Sequence, residues 1–170
     1  VQQGKLDLAL LALEADLGAL STSALYADPF VLAVPATHAL AARKHAREQD
    51  LDDEDVLLLE DGHCLREQAL AICRRAGARE LGDFRATSLN TLVRMVASGA
   101  GVTLLPAMSL ASEIHGQDRL TTLALERRPV RTIGLAYRAS SARLALFERL
   151  AELLRETAPR GTIALPAARR

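Results

Sequence analysis

Two cysteines, Cys64 and Cys73, carry the thiol chemistry of this chain, nine positions apart in the segment Glu60-Asp61-Gly62-His63-Cys64-Leu65-Arg66-Glu67-Gln68-Ala69-Leu70-Ala71-Ile72-Cys73-Arg74-Arg75-Ala76-Gly77. Cys64 follows the turn-forming Asp61-Gly62 pair and immediately precedes an apolar periodic run. It therefore stands at the front of a predicted helix, where unpaired backbone N–H groups and the positive end of the helix dipole favour an anion. His63 and Arg66 add positive character within reach. Such surroundings lower a thiol pKa and raise its nucleophilicity at neutral pH. Cys73 falls with Leu65, Ala69, Ile72 and Ala76 on the i, i+4, i+7, i+8, i+11 spacing of one buried face, and Gly77 is a natural residue just past the helix end.

The helix that positions the two thiols also keeps them apart. Nine residues of unbroken helix separate the Cα atoms by roughly 13.5 Å along the axis and about half a turn in phase. A disulfide needs Cα atoms about 4.4–6.8 Å apart. Bonding the pair requires melting or rebuilding the helix, which is the coupling of one covalent event to a change of fold that a redox switch needs. The alternative is two unrelated thiols, since free cysteine is among the most buried residue types.

The wording Leu59-Glu60-Asp61-Gly62-His63-Cys64-Leu65-Arg66, with a second cysteine nine positions after the first, resembles the redox loop of the peroxide-sensing LysR-type transcriptional regulators. The resemblance implies that peroxide oxidises Cys64 to a sulfenic acid, that Cys73 captures it as a disulfide, and that His63 and Arg66 activate Cys64. A broader match to the effector domains of the same family runs from Thr87 to Pro106, where a helix precedes a Gly-x-Gly-x-x-Leu-Leu-Pro-like strand. Arg131-Thr132-Ile133-Gly134-Leu135-Ala136-Tyr137-Arg138 again resembles the peroxide sensors. Asp83 stands where some relatives have a histidine.

Bulk properties bound the answer. The chain is 49% hydrophobic and 25% charged, with 21 basic against 21 acidic side chains, which describes an ordinary soluble domain with enough chain to bury a core. Zero net charge argues against this chain itself gripping DNA, and an aromatic fraction of 3% leaves no stacking platform for single strands. No apolar run is long enough to span a membrane and no signal peptide opens the chain. Two cysteines do not make a disulfide scaffold, so a reducing cytoplasm is expected. No cofactor and no metal site is expected.

Along the chain, residues 1–3 read as the tail of a helix, and residues 6–13 as a buried strand. Residues 20–26 read as a short strand and residues 30–34 as a second, closed by Pro35. Residues 38–55 read as loop with a short helix, and the acidic run 50–55 as a solvated face. Residues 56–59 form a strand into the cysteine segment. After a polar link come a strand at 84–87, Ser88 as N-cap of a helix striped by Leu89, Leu92, Val93 and Val96, and a strand at 102–106. Gly99-x-Gly101 ends a helix rather than opening one, so a dinucleotide cradle is a poor reading. Residues 131–138 form a strand, and Ser140 or Ser141 caps a last helix carrying Leu144, Phe147, Leu150, Ala151 and Leu154. His38, His45 and His115 read as surface residues; Met95 and Met108 as core.

Strands alternating with helices predict an α/β fold with mainly parallel sheet. The resemblance implies a two-lobed, periplasmic-binding-protein-like (type 2) effector domain. Residues 1–34 belong to the first lobe, 35–131 form the second lobe with the redox loop, 132–158 return to the first lobe, and 159–170 are a disordered tail. A winged helix-turn-helix, a linker helix and the first strand and helix of the first lobe are expected upstream, which leaves that lobe incomplete. Effectors are expected between the lobes, with the cysteine loop at their boundary. The partners so implied are hydrogen peroxide, further copies in a dimer or tetramer, a thiol reductant such as a glutaredoxin, and DNA and RNA polymerase through the full-length regulator.

Two further functions use the same residues differently. A thiol peroxidase would need both cysteines, but no Pro-x-x-x-Thr-x-x-Cys context surrounds Cys64 and a buried Cys73 would recycle slowly, so no enzyme is expected. A small-molecule effector module would grip a carboxylate or sulfate with Thr87 and Ser88 at a helix N-terminus; Ser88 reads first as a plain N-cap, and a cap alone predicts no ligand.

Overall fold

The computed structural model describes residues 1–52, 54–61, 64–115 and 119–166, without the side chains of Asp83 and Phe84. The strands are β1 (Leu8–Ala12), β2 (Leu20–Pro35), β3 (His45–Ala46), β4 (Asp55–Leu59), β5 (Arg79–Ala86), β6 (Thr103–Pro106), β7 (Leu120–Leu125), β8 (Val130–Arg138) and β9 (Ile163–Ala164). The helices are α1 (Cys64–Ala76), α2 (Leu89–Ala97), α3 (Leu110–Glu113) and α4 (Leu144–Glu156), with single 3-10 turns at Ala39–Ala42, Glu48–Leu51 and Ala107–Ser109. The chain divides into two compact units, one running from Phe30 to Pro129 and the other formed by the segments on either side of it.

In the central unit the strands follow the burial of their apolar runs. Val56, Leu57, Leu58 and Leu59 on β4 are all buried, the pattern of a strand covered on both faces, and α1 and α2 both pack against it. β4 and β5 are parallel with α1 as their crossover, and β4 reaches the start of β6 through a parallel bridge from Val56 to Val102. β3 runs parallel to β7, and among the described strands of this unit only β2 opposes its neighbours, β6 and β7. Leu65, Ala69, Ile72, Cys73 and Ala76 of α1 join the same core as Leu92, Val93 and Val96 of α2. Each large apolar side chain so buried contributes roughly 1.5–3 kcal/mol.

In the flanking unit every described strand pairing is antiparallel: β8 lies between β1 and the first half of β2, and β9 pairs with β2 at Tyr26 and Ala27. The expectation of mainly parallel sheet is corrected accordingly to a mixed sheet. The reason is connectivity, because the described strands of this unit have no β-helix-β crossover between sheet neighbours. α4 buries Phe147 and Ala151, and Phe147 stands 5.3 Å, centroid to centroid, from the Tyr137 ring.

Several local expectations change. The two strands read at 20–26 and 30–34 are one strand, β2, because Asp28 and Pro29 continue the ladder opposite Arg131 and Val130 instead of breaking it. Residues 1–3 form a turn closed by Gly4 N–H to the Val1 carbonyl, not a helix end. The polar link after Gly77 is already strand β5 from Arg79, and 120–125 is β7. The segment beyond Pro159, expected to be disordered, carries β9, with Leu165 N–H donating to the Leu25 carbonyl at 2.8 Å. Ser141 accepts from the Arg143 N–H, while Arg143 itself occupies the cap of α4. His38 is half-buried, capping Leu40 N–H and pairing with Glu54 at 3.2 Å, whereas His45 and His115 are exposed.

Gly134 sits where β8 is flanked on both sides: a Cβ there would stand 2.6 Å from the Ser23 carbonyl oxygen and 2.7 Å from Leu13 Cδ1. Gly134→Ala should therefore cost roughly 1–3 kcal/mol, the range for forced overpacking, read as a lower urea midpoint with an unchanged slope.

Candidate functional site

Cys64 is the first residue of α1 and is exposed; Cys73, in the same helix, is 1% exposed. α1 runs unbroken through both, so its 3.6-residue turn puts the two thiols about half a turn apart in phase and one faces solvent while the other faces the core. Both are free thiols. Burial pushes the Cys73 thiol up from 9.0 to about 11, with the Glu80 carboxylate adding to the rise. At neutral pH Cys73 is thus held protonated, a buried apolar sulfur rather than a nucleophile. α1 ends as its sequence demands, with Gly77 at φ 75° in the left-handed region.

Arg66 is the unusual side chain of this segment, an arginine only 5% exposed. Its Nε donates to Asp61 Oδ1 at 2.8 Å, and its Nη1 lies 2.8 Å from Glu80 Oε1 and 3.5 Å from the Leu59 carbonyl oxygen. Arg85 completes the arrangement: its Nη1 donates to Asp61 Oδ2 at 2.5 Å and its Nε stands 3.7 Å from Glu80 Oε1. Two acids and two bases therefore alternate in a closed ring. Chiefly through the Arg66 hydrogen bond, with Arg85 beside it, Asp61 is held below the usual carboxylate range. Glu80 first, then Asp61, hold the Arg66 guanidinium above its ordinary value.

An irregularity in β5 makes that ring. Glu80 and Arg85 are five positions apart, which in a regular strand puts them on opposite faces. Here Glu80 pairs with Val56 and Arg85 with Leu58, two positions apart on β4, because β5 accommodates extra residues between them. Both side chains consequently share a face. The sequence did not point to Asp61, Glu80 and Arg85 as site residues, and the one signal for them was the alternation of charge, which sequence order scatters over 24 residues from Asp61 to Arg85.

Among the other candidates, His63 lies outside the described residues. Thr87 and Ser88 are both exposed, and the Ser88 hydroxyl is spent on capping α2, accepting from Thr91 N–H at 3.2 Å and contacting Thr91 Oγ1 at 3.0 Å. Among the described residues no group of three or more His, Cys, Asp or Glu side chains could hold a metal ion, and no helix is long and apolar enough to cross a membrane.

The chain matches the LysR substrate binding domain family over residues 1–159. It is 43% identical over 156 residues to the "Hydrogen peroxide-inducible genes activator" of Pectobacterium carotovorum subsp. carotovorum, covering 92% of this chain and 52% of that protein. This chain thus spans about half the length of the curated relatives it matches. Among solved structures it resembles the oxidised form of OxyR, with a TM-score of 0.76 and 43% identity over 91% of this chain and 73% of that one. The reduced form of OxyR gives a TM-score of 0.78 and 40% identity over 91% of this chain and 72% of that one.

Titration of the native protein with a thiol-reactive dye at pH 7 should consume one equivalent rapidly, at Cys64, and the second only after denaturant is added. Cys73 also predicts alkaline sensitivity. Its folded value, about 11, lies above its ordinary 9.0, so its contribution to stability is complete below 9 and is lost as pH rises toward 11. Denaturation curves at pH 8 and pH 11 should show this loss, and Cys73→Ala should reduce it.

Proposed function

We propose, from the premise that this chain belongs to the LysR substrate binding domain family and within it to the OxyR branch, that it is the redox-sensing regulatory domain of a hydrogen-peroxide-responsive transcription activator. Its switch is a Cys64–Cys73 disulfide. The observation that carries the reading is the placement of an exposed thiol at the N-terminus of α1 and a buried thiol on the opposite face of that same intact helix.

The chemistry follows from the two environments. The Cys64 thiolate attacks one oxygen of hydrogen peroxide, the O–O bond breaks, and hydroxide leaves and takes a proton to become water. Cys64 is then a sulfenic acid, oxidised by two electrons. α1 opens, Cys73 gives up its proton, and its sulfur attacks the Cys64 sulfur; the S–O bond breaks and a second water leaves. Two thiols and one peroxide thus yield one disulfide and two waters. His63 contributes positive charge beside Cys64 in this scheme. Arg66 acts from the charged ring at the first turn of the helix.

A disulfide formed this way cannot coexist with the helix. The new state of the 62–77 segment is the signal that the full-length regulator, as a dimer or tetramer, passes to DNA and RNA polymerase, and a thiol reductant such as a glutaredoxin restores the dithiol. A sensor of this kind spends one peroxide per switching event and is not an enzyme.

Intact-mass analysis with non-reducing peptide mapping after stoichiometric peroxide tests the scheme. Wild type should lose two hydrogens and yield a Cys64–Cys73 cross-linked peptide, Cys73→Ser should gain one oxygen at Cys64, and Cys64→Ser should not change. A folded wild-type sample that keeps both thiols reduced overturns it.

A further inference from the structure

Oxidation must break something besides helix hydrogen bonds, and the charged ring at the first turn of α1 is the natural candidate. Of its four members, only Arg66 lies between the two cysteines in sequence, inside the loop that a Cys64–Cys73 bond would close. Asp61 precedes that loop, and Glu80 and Arg85 follow it on β5. Drawing Cys64 and Cys73 together would reshape the backbone that carries Arg66, and with it the contacts Arg66 makes from the first turn of α1. Every interaction in the ring that involves Arg66 is made here with α1 helical and both thiols free.

We propose that Asp61, Glu80 and Arg85 are positioning residues that latch Arg66, and with it the first turn of α1, in the reduced form, and that the strength of this latch sets the equilibrium between dithiol and disulfide. The inference rests on the redox reading of Cys64 and Cys73. Its physical basis is burial. Exposed ion pairs contribute little, but the Arg66 side chain is 6% exposed and Glu80 24%, so separating them strands charge that is partly shielded from water. A contact made only by the dithiol favours that form and raises the reduction potential; removing it lowers the potential. Glu80 is the central member, because it meets both arginines and its carboxylate also lies near enough to Cys73 to disfavour a thiolate there.

The test is equilibration of the full chain with mixtures of reduced and oxidised glutathione, in which two glutathione thiols reduce the protein disulfide and leave one glutathione disulfide. The dithiol fraction is trapped by alkylation and counted by mass. Glu80→Gln should shift the equilibrium about tenfold toward the protein disulfide, a potential about 30 mV more negative, and Arg85→Gln should shift it the same way by a smaller factor, about two- to threefold. Arg85→Lys, which keeps the charge, should recover most of the shift. Arg79→Gln, which removes an ion pair to Asp55 outside the ring, should match wild type. A merely structural role would lower the stability of both redox forms alike and leave the equilibrium constant unmoved. Should Glu80→Gln fail to fold, the more exposed Arg85→Gln carries the measurement. An unchanged constant in folded Glu80→Gln or Arg85→Gln overturns the latch and leaves the switch standing, whereas a wild type that forms no Cys64–Cys73 disulfide overturns both.

Discussion

The backbone hydrogen bonds of α1 keep Cys64 and Cys73 from reacting with one another, and the remaining features of the site depend on that separation. In an intact helix the residue nine positions after Cys64 falls on the opposite face, so one thiol samples solvent while the other is locked into the core. Proximity in sequence is converted into distance in space. The same fact makes the helix a two-state element, because no small adjustment of side chains can bring the sulfurs to bonding distance.

Two different forces hold that element in place. The face bearing Leu65, Ala69, Ile72 and Cys73 is secured by burial against β4 and the apolar side chains around it, a non-directional interaction spread over many atoms. The first turn is secured by direction and charge, through Arg66 between Asp61 and Glu80 with Arg85 closing the ring. At the other end the Arg75 guanidinium stands 3.7 Å from the buried Glu48 carboxylate. Charged contacts at both ends and an apolar face between them give a helix that is well defined yet short. Its 13 residues are near the length at which an isolated helix is marginal in water, so tertiary contacts decide whether it persists.

Strand irregularity does part of this work. β5 is not a plain ladder partner of β4, and the register shift between Val56 and Leu58 turns Glu80 and Arg85 onto one face. In the flanking unit, a comparable shift in β2 between Ala24 and Tyr26 coincides with the Ala24 carbonyl accepting from Arg155 of α4 at 2.7 Å. In both places an arginine bonds beside the point where the ladder departs from regular pairing.

The sequence alone settled what is local and periodic. The i, i+4, i+7 stripe of α1, the glycine beyond its end, the Ser88 cap of α2 and the all-apolar run of β4 depend on neighbours a few residues away, so their elements could be read directly. The cysteine spacing on a helix was legible for the same reason, and so was the burial of Cys73. Strand direction was not, because parallel and antiparallel neighbours use the same apolar residues and differ only in which distant segment arrives alongside. Nor was the continuity of β2 through Asp28 and Pro29, since a proline opposite Val130 breaks a strand only where its missing N–H is needed. The charged ring was not legible as a ring, because its one signal, the alternation of charge, is scattered along the chain. Asp61, Glu80 and Arg85 look like ordinary surface charges along the chain and Arg66 like a neighbour of Cys64 alone, and only the packing of α1 against a bulged β5 brings the four within ion-pairing distance and takes Arg66 out of water.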